Sequence, residues 1–241
     1  MRVRLDKYLA DMGVGTRSQV KKEIRNGNVT VNDCIAGSPE MKVNTASDRV
    51  ICQGKPVAYK RYEYYMMNKP AGVVSATRDS REKTVLDLIR EERRSDLFPA
   101  GRLDKDTEGL LLITNDGETA HRLLSPKRHV DKVYFVRVRG CVTEADAAYF
   151  REGADIGDKN PTLPADLQIK TSGEISEVIL TIREGRFHQV KRMFQSVGKD
   201  VIYLKRLQMG TLILDESLKP GEYRNLTEEE VNRLCSQEKK Q

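Results

Sequence analysis

One segment of this chain, GRLDKDTEGLLLI at residues 101–113, carries most of the information about its fold. Gly101 and Gly109 flank a charged loop, and a run of four apolar residues follows at once. The next residues, 114–117 (Thr-Asn-Asp-Gly), form a turn signal that ends the run. A charged loop that enters a short apolar run predicts a buried strand, and it predicts that the loop presents Asp104 from a rigid scaffold.

The segments around this loop predict an α+β fold. Further strands are expected where apolar, β-branched and aromatic residues cluster, at 64–67, 133–138 and 177–182. Helices, two of them beginning at a threonine N-cap, are expected at 84–90, 143–150 and 189–197. Many strands mixed with a few helices indicate a mixed, mostly antiparallel sheet flanked by helices.

The first 59 residues have the pattern of a small separate module. Apolar residues recur at helical spacing from Leu5 to Met12, and Thr16 is a suitable N-cap for a second helix over 17–26. A strand is expected at 28–31. The second helix carries a basic stripe at i, i+4 and i+8, which consists of Arg17, Lys21 and Arg25.

The charge of the chain is concentrated in this module. Residues 1–60 contain 11 Lys or Arg and 6 Asp or Glu, a net charge of +5, whereas the remainder has 31 against 30, a net charge of +1. This asymmetry predicts that the module binds a polyanion. The alternative is that the basic stripe is simply a solvated helix face.

Residues 4–9, 16–18 and 24–32 of the module resemble the S4 RNA-binding domain. The resemblance implies that Arg17, Lys21 and Arg25 contact the RNA backbone. Such contacts suit an A-form helix, because its deep, narrow major groove leaves phosphates and shape as the main features to recognise.

The expected domain organisation follows from these patterns. An S4-like RNA-binding domain is predicted at 1–59 and a catalytic domain at 60–235, with a frayed polar tail at 236–241. The polar stretch 54–61 is expected to be a mobile linker. We expect a monomer.

Composition narrows the class of protein. The 241 residues are 38% apolar and 32% charged, and no apolar run approaches the roughly 18 residues that a membrane span needs. The first residues lack the apolar core of a secretory signal, so a cytoplasmic protein without a membrane partner is expected. The four cysteines are scattered, and neither a disulfide framework nor a zinc site is expected.

Four blocks of the larger domain resemble the pseudouridine synthases, in their S4-bearing ribosomal branch. In chain order the blocks are 68–72 (Asn-Lys-Pro-Ala-Gly), 101–111, 132–134 (Lys-Val-Tyr) and 184–193. Together with the S4-like module, the resemblance covers nearly the whole chain. It implies an isomerase that converts uridine in ribosomal RNA to pseudouridine, with no metal and no cofactor.

The same resemblance implies roles for five residues. Asp104 would be the nucleophile or general base that acts on a flipped-out uridine, Tyr134 would stack on its base, and Lys191 would hold Asp104 as a carboxylate. Arg102 and Arg186 would contact RNA, and Arg102 would fill the space of the flipped base or bind its phosphate. Taken as isolated residues, they also allow a turn-forming aspartate, a packed tyrosine and a surface lysine.

Neighbouring polar residues are expected to have supporting roles. Asp106 and Glu108 are expected to be solvated neighbours of Asp104, and His188 is expected to form structural hydrogen bonds. Lys69 is expected to shape a strand end.

Finer features concern the RNA target. Ala100, residues 64–70 and residues 219–227 resemble the small-subunit branch, which implies 16S rRNA (a site of the uridine-516 type) or a small-subunit assembly intermediate as partner. Three alternatives stay open. They are a 23S rRNA enzyme of the same family, a non-catalytic S4-type ribosome assembly factor, and a glycosidase, which would need a second carboxylate.

Overall fold

In the computed structural model, which describes residues 1–89, 94 and 96–236, the chain divides into two units. The first comprises Met1–Glu63 with Ile89–Leu97, and the second comprises Tyr64–Leu88 with Phe98–Gln241. Of the expected tail, Ser236 ends a helix, and residues 237–241 lie outside the described residues. No helix in the described ranges is long and apolar enough to cross a membrane.

The described part of the first unit contains two helices and six short strands. The helices are α1 (Leu5–Asp11) and α2 (Arg17–Arg25). The strands are β1 (Arg2–Arg4), β2 (Val29–Val31), β3 (Cys34–Ile35), β4 (Lys42–Asn44), β5 (Val50–Cys52) and β6 (Lys55–Val57). β1 pairs with β4, and the other four form a sheet in the order β3-β2-β5-β6.

Helix α2 forms as the sequence predicts. Thr16 and Gln19 make a reciprocal capping box, since the Thr16 amide donates to Gln19 Oε1 at 2.8 Å and the Gln19 amide donates to Thr16 Oγ1 at 3.3 Å. Val20 and Ile24 are buried in the core of the unit, while Arg17 and Arg25 are exposed. The basic stripe therefore runs beside the buried face of the helix, with its middle residue, Lys21, half-buried.

The prediction of a linker at 54–61 is wrong for residues 54–57, which form a hairpin loop and a strand. Gln53 and Gly54 both have positive φ (51° and 76°), which is the geometry of a two-residue hairpin loop, and they connect β5 directly to β6. The carbonyl of Val57 in β6 accepts a 2.6 Å hydrogen bond from the Tyr8 hydroxyl. These residues therefore belong to the first unit's fold.

The second unit is built on one mixed sheet of nine strands. Its strands are β7 (Tyr64–Lys69), β8 (Phe98–Pro99), β9 (Glu108–Thr114), β10 (Lys132–Arg139), β11 (Asp166–Thr171), β12 (Ile175–Ile182), β13 (Asp200–Met209), β14 (Leu212–Ile213) and β15 (Tyr223–Asn225). The order is β11-β12-β10-β13-β9-β7-β15, with β8 on β9 and β14 on β13. Of these pairs, only β13 with β9 is parallel. The predicted fold class is confirmed.

Four α-helices in the described part of the second unit accompany this sheet, and the sequence patterns predict the second and third of them but not the first or the last. They are α3 (Gly117–Leu124), α4 (Glu144–Glu152), α5 (Gln189–Ser196) and α6 (Glu228–Ser236). The helix expected at 84–90 is instead a 3-10 turn, Val85–Leu88, and residue 90 lies outside the described residues. The Thr84 amide donates to the Asp87 carboxylate at 2.8 Å at the start of this turn.

The apolar run after Asp104 forms the buried strand that the sequence predicts. Residues 110–113 in β9 are completely buried, and β9 lies between β13 and β7 in the sheet. The turn signal at 114–117 ends this strand, but it also begins α3, because the Asp116 carboxylate accepts hydrogen bonds from the Glu118 and Thr119 amides. The C-terminal end of β9 is thus joined directly to the capped start of α3.

Candidate active site

Asp104 lies on a loop that is held from two sides. The Ser75 hydroxyl donates to the Leu103 carbonyl and accepts from the Leu103 amide, both at 3.0 Å. The Thr107 amide donates to the Asp104 carbonyl at 3.1 Å. The Asp104 side chain remains 27% exposed, so a ligand can reach a carboxylate whose backbone is fixed.

Lys69 stabilises the same loop through hydrogen bonds to its backbone. Its side chain is completely buried, and Nζ donates to the carbonyls of Lys105 (3.2 Å), Thr107 (2.8 Å) and Pro70 (3.0 Å). Burial lowers the pKa of Lys69 to about 8, and nearby carboxylates, Asp106 first and Asp104 second, only partly offset this. Lys69 ends β7, as predicted, but the sequence does not predict its hydrogen bonds to the Asp104 loop.

Gly109 is required where the loop enters β9. Its φ is +100°, and a Cβ atom at this position would lie 2.2 Å from the Arg206 carbonyl oxygen. The parallel pairing of β9 with β13 brings the two backbones this close, with Gly109 opposite Arg206. Only glycine allows this approach.

Lys191 lies next to Asp104, as the family resemblance implies. Its Nζ atom is 3.4 Å from Asp104 Oδ2. Two shorter contacts, at 2.6 and 2.8 Å, go to the Asp106 carboxylate. Helix α5 supplies the lysine and the loop supplies both carboxylates, so the two blocks of sequence meet at one point of the fold.

The two acidic neighbours of Asp104 are not simply solvated, which corrects the prediction. Burial raises the pKa of Asp106, but its hydrogen bonds to Lys191 outweigh that effect and the pKa is lowered overall. Glu108 accepts a 2.7 Å hydrogen bond from the Tyr203 hydroxyl. Burial, together with this bond, raises the pKa of Tyr203 to about 12.

His188 also faces Asp104. Its Nε2 atom lies 3.7 Å from Asp104 Oδ1, beyond hydrogen-bonding distance. The residue has left-handed backbone angles (φ 48°, ψ 33°) and precedes α5 directly. Its ring stacks on Phe187 with 3.9 Å between ring centroids. The sequence predicts a structural role for His188 and does not distinguish Phe187 from other apolar residues.

Tyr134 lies two strands away from the start of β9. In β10 it is opposite Arg206 of β13, which is in turn opposite Gly109 of β9. Tyr134 is only 7% exposed. Arg206 is buried as well, and its Nε donates to the Leu110 carbonyl at 2.7 Å. Arg206 thus lies between Tyr134 of β10 and the start of β9, which follows the Asp104 loop. The sequence around Arg206 mixes polar and apolar residues and does not predict this position.

The two arginines predicted to contact RNA have different environments. Arg102 is exposed directly beside Asp104. Arg186 instead donates to Glu184 at 3.0 Å and to the carbonyls of Asn160 and Pro161, both at 2.7 Å. These contacts occupy its guanidinium group and favour a role in holding the 158–161 loop, so RNA binding by Arg186 stays a prediction that they do not support.

Comparison with known proteins places this geometry in context. A family model described as RNA pseudouridylate synthase matches residues 63–196, and an S4 domain model matches residues 3–50. A crystal structure of a pseudouridylate synthase covers 96% of this chain and 99% of its own, with 40% identity and a TM-score of 0.68.

Similar proteins in bacteria extend over almost the full chain. A Bacillus subtilis protein described as an uncharacterized RNA pseudouridine synthase is 50% identical over 234 residues, which cover 96% of this chain and 98% of the relative. Ribosomal small subunit pseudouridine synthase A is 44% identical in Vibrio cholerae and 42% identical in Escherichia coli, covering 95% of this chain and 98% of each relative.

Proposed function

Since the chain belongs to the RNA pseudouridylate synthase family, we propose that it converts a uridine of small-subunit, 16S, ribosomal RNA to pseudouridine. Small-subunit relatives of 42–44% identity over almost the whole chain support this choice of RNA. A site of the uridine-516 type, in free rRNA or in an assembly intermediate, is the target expected from the sequence. The enzyme is proposed to act as a cytoplasmic monomer.

One observation carries the catalytic part of the proposal. The Asp104 carboxylate is partly exposed on a fixed loop, with Lys191 Nζ at 3.4 Å and His188 Nε2 at 3.7 Å. A carboxylate on a fixed loop, with an ammonium group and an imidazole beside it, is presented to a ligand in a defined position, which suits a nucleophile or a general base. Rigid support of this kind keeps the reacting group in position without further ordering on binding.

The reaction balances within one nucleotide. The bond between ribose and uracil N1 breaks, the uracil turns, and a new bond joins the ribose to carbon 5. Carbon 5 loses its proton and N1 gains one, so substrate and product are isomers. We assign Asp104 to the attack or proton abstraction that begins the reaction, and Tyr134 to contact with the uracil ring.

Arg102 and the first unit are proposed to hold the RNA. Arg102 would occupy the space vacated by the flipped uridine or bind its phosphate, which offsets the cost of flipping. The domain at 1–59 would dock structured RNA through α2, where Arg17 and Arg25 are exposed and Lys21 lies 3.8 Å from the buried Asp6. The catalytic domain is proposed to span 60–235.

Tritium release from rRNA labelled at carbon 5 of uridine tests the proposal. Wild type should release tritium from 16S transcripts or assembly intermediates, and Asp104→Asn should not. Asp200→Asn makes the same change at an exposed residue at the start of β13 and should retain activity. Release from 23S rRNA alone would overturn the choice of RNA, and tight binding without release would indicate an assembly factor.

A further inference from the structure

Phe187 presents an aromatic ring to solvent beside the candidate catalytic residues. It is 74% exposed, the highest value among the large apolar side chains in the described ranges. Single exposed apolar residues are common on protein surfaces, so exposure alone carries no conclusion. The surroundings of this ring are what distinguish it.

The ring is part of a stack that leads to Asp104. Phe187 and His188 are nearly parallel, with an interplanar angle of 18° and 3.9 Å between centroids. His188 Nε2 is in turn 3.7 Å from Asp104 Oδ1. The imidazole that faces Asp104 therefore covers one face of Phe187, and the high exposure of Phe187 leaves its other face open to solvent.

The backbone beneath this stack is held in place. Arg192 Nη1 donates to the Phe187 carbonyl at 3.1 Å, and the Gln189 side chain accepts from the Arg186 amide at 2.9 Å. His188 has left-handed backbone angles, which a residue other than glycine keeps only when its surroundings impose them. The ring is thus presented by a fixed segment, so little conformational entropy is lost when a ligand binds it.

We propose that the open face of Phe187 is a stacking platform for a nucleobase next to the target uridine. This inference rests on the proposed function and deepens it by naming a second contact with the substrate. When a uridine leaves the RNA stack, its neighbour loses a stacking partner, and an aromatic face at the rim of the site replaces it. The exposed side chain of Arg102, beside Asp104, adds a cationic group to the aromatic one, which is the combination that binds single-stranded RNA.

The first test measures KM and kcat separately on the rRNA that wild type modifies. Phe187→Ala and Phe187→Leu should raise KM about tenfold or more and change kcat little, because stacking is lost while Asp104 is untouched. Phe187→Tyr keeps the ring and should behave like wild type. Ile175→Ala, which shortens another exposed apolar residue of the same unit, should leave both constants unchanged.

The second test observes stacking directly. An RNA fragment carries 2-aminopurine immediately 5′ or 3′ of the modified uridine, and binding is followed by fluorescence in an Asp104→Asn background. One of the two positions should change its fluorescence on binding, and Phe187→Ala should abolish that change.

The outcomes separate this inference from the proposed function. Tritium release by wild type with an unchanged KM in Phe187→Ala would overturn the platform alone. A loss confined to kcat would overturn it too, since the ring would then act only by holding His188. Equal KM values for Phe187→Leu and wild type would show that aromatic stacking is not involved. Absence of release by wild type would overturn the proposed function and this inference together. Circular dichroism of each variant verifies folding.

Discussion

Lys191 forms its shortest ion pair with Asp106, at 2.6 Å. The candidate catalytic carboxylate, Asp104, is the more distant partner at 3.4 Å. Asp106 is 71% exposed, whereas Asp104 is 27% exposed. One ammonium group is therefore shared by two carboxylates of the same loop, and the more solvated of the two has the shorter contact.

Removal of the lysine charge should affect catalysis more than stability. Lys191→Met leaves two neighbouring carboxylates without a counter-ion, and we expect kcat/KM to fall on the order of a hundredfold. Lys191→Arg keeps the charge and should recover much of the activity. Asp106→Asn should cost less than about tenfold, because exposed ion pairs contribute little and Lys191 remains beside Asp104. Equal losses for Asp106→Asn and Lys191→Met in the tritium assay would contradict this ranking.

The buried amine of Lys69 predicts a pH dependence of stability. Its folded pKa, about 8, lies below its ordinary value near 10.5, so the unfolded chain binds more protons between these two pH values. The contribution of Lys69 to the free energy of unfolding should therefore rise with pH in this window. The Lys69→Met variant lacks this pH-dependent contribution. The free energy of unfolding of wild type, relative to that of the variant, should therefore increase by up to about 3 kcal/mol across this pH window.

Urea denaturation at pH 7, 8, 9 and 10 measures that difference, and other titrating groups cancel between the two proteins. A constant difference across this range would mean that the three carbonyl acceptors keep the Lys69 ammonium group charged in the folded state.

Substitution of Gly109 should destabilise the second unit. A Cβ atom 2.2 Å from the Arg206 carbonyl oxygen would force β9 and β13 apart, and φ of +100° is unfavourable for alanine. We expect Gly109→Ala to lower the free energy of unfolding by more than about 3 kcal/mol. Gly117→Ala is the matched control, because nothing lies within 4 Å of its Cβ position at the start of α3 and alanine favours helix. Comparable urea midpoints for the two variants would refute the close approach.

The exposed arginines of α2 should contribute to RNA binding in a salt-dependent way. Arg17→Gln with Arg25→Gln should raise KM, leave kcat almost unchanged, and reduce the slope of log K against log salt by about 1 to 2. Arg49→Gln removes an exposed charge elsewhere in the same unit and should change neither quantity. An unaltered salt slope in the double variant would favour the view that the stripe is only a solvated face.

Local signals in the sequence predicted the parts of the fold that short-range chemistry determines. The Thr16 cap, the buried face of α2 and the apolar run of β9 each follow from neighbouring residues. The meeting of Lys191 with Asp104 came from family resemblance, since spacing along the chain does not reveal that contact.

Features set by distant partners could not be predicted in the same way. Strand β13 contains two consecutive charged residues, Lys205 and Arg206, yet it lies between β10 and β9 in the sheet. There the side chains of Tyr203 and Arg206 bond to groups of β9 that are far away in sequence. The polar sequence that begins at Gly54 resembles a linker, and the hydrogen bond from the Tyr8 hydroxyl to the Val57 carbonyl, which joins this segment to the first unit, cannot be read from it. Asp116 closes a strand and caps a helix at once, and a turn signal alone does not distinguish these roles.

The parallel pairing of β9 with β13 also affects the order in which the two units fold during synthesis. All strand pairs of β1 to β6 join residues within the first 57. Glu108 of β9, in contrast, can pair with Lys205 of β13 only after residue 205 has been synthesised. Local contacts form early, and N-terminal units fold first as a chain emerges from the ribosome. We therefore expect a nascent chain to hold a folded basic module well before its reactive loop is braced, so affinity for RNA would precede the capacity to modify it.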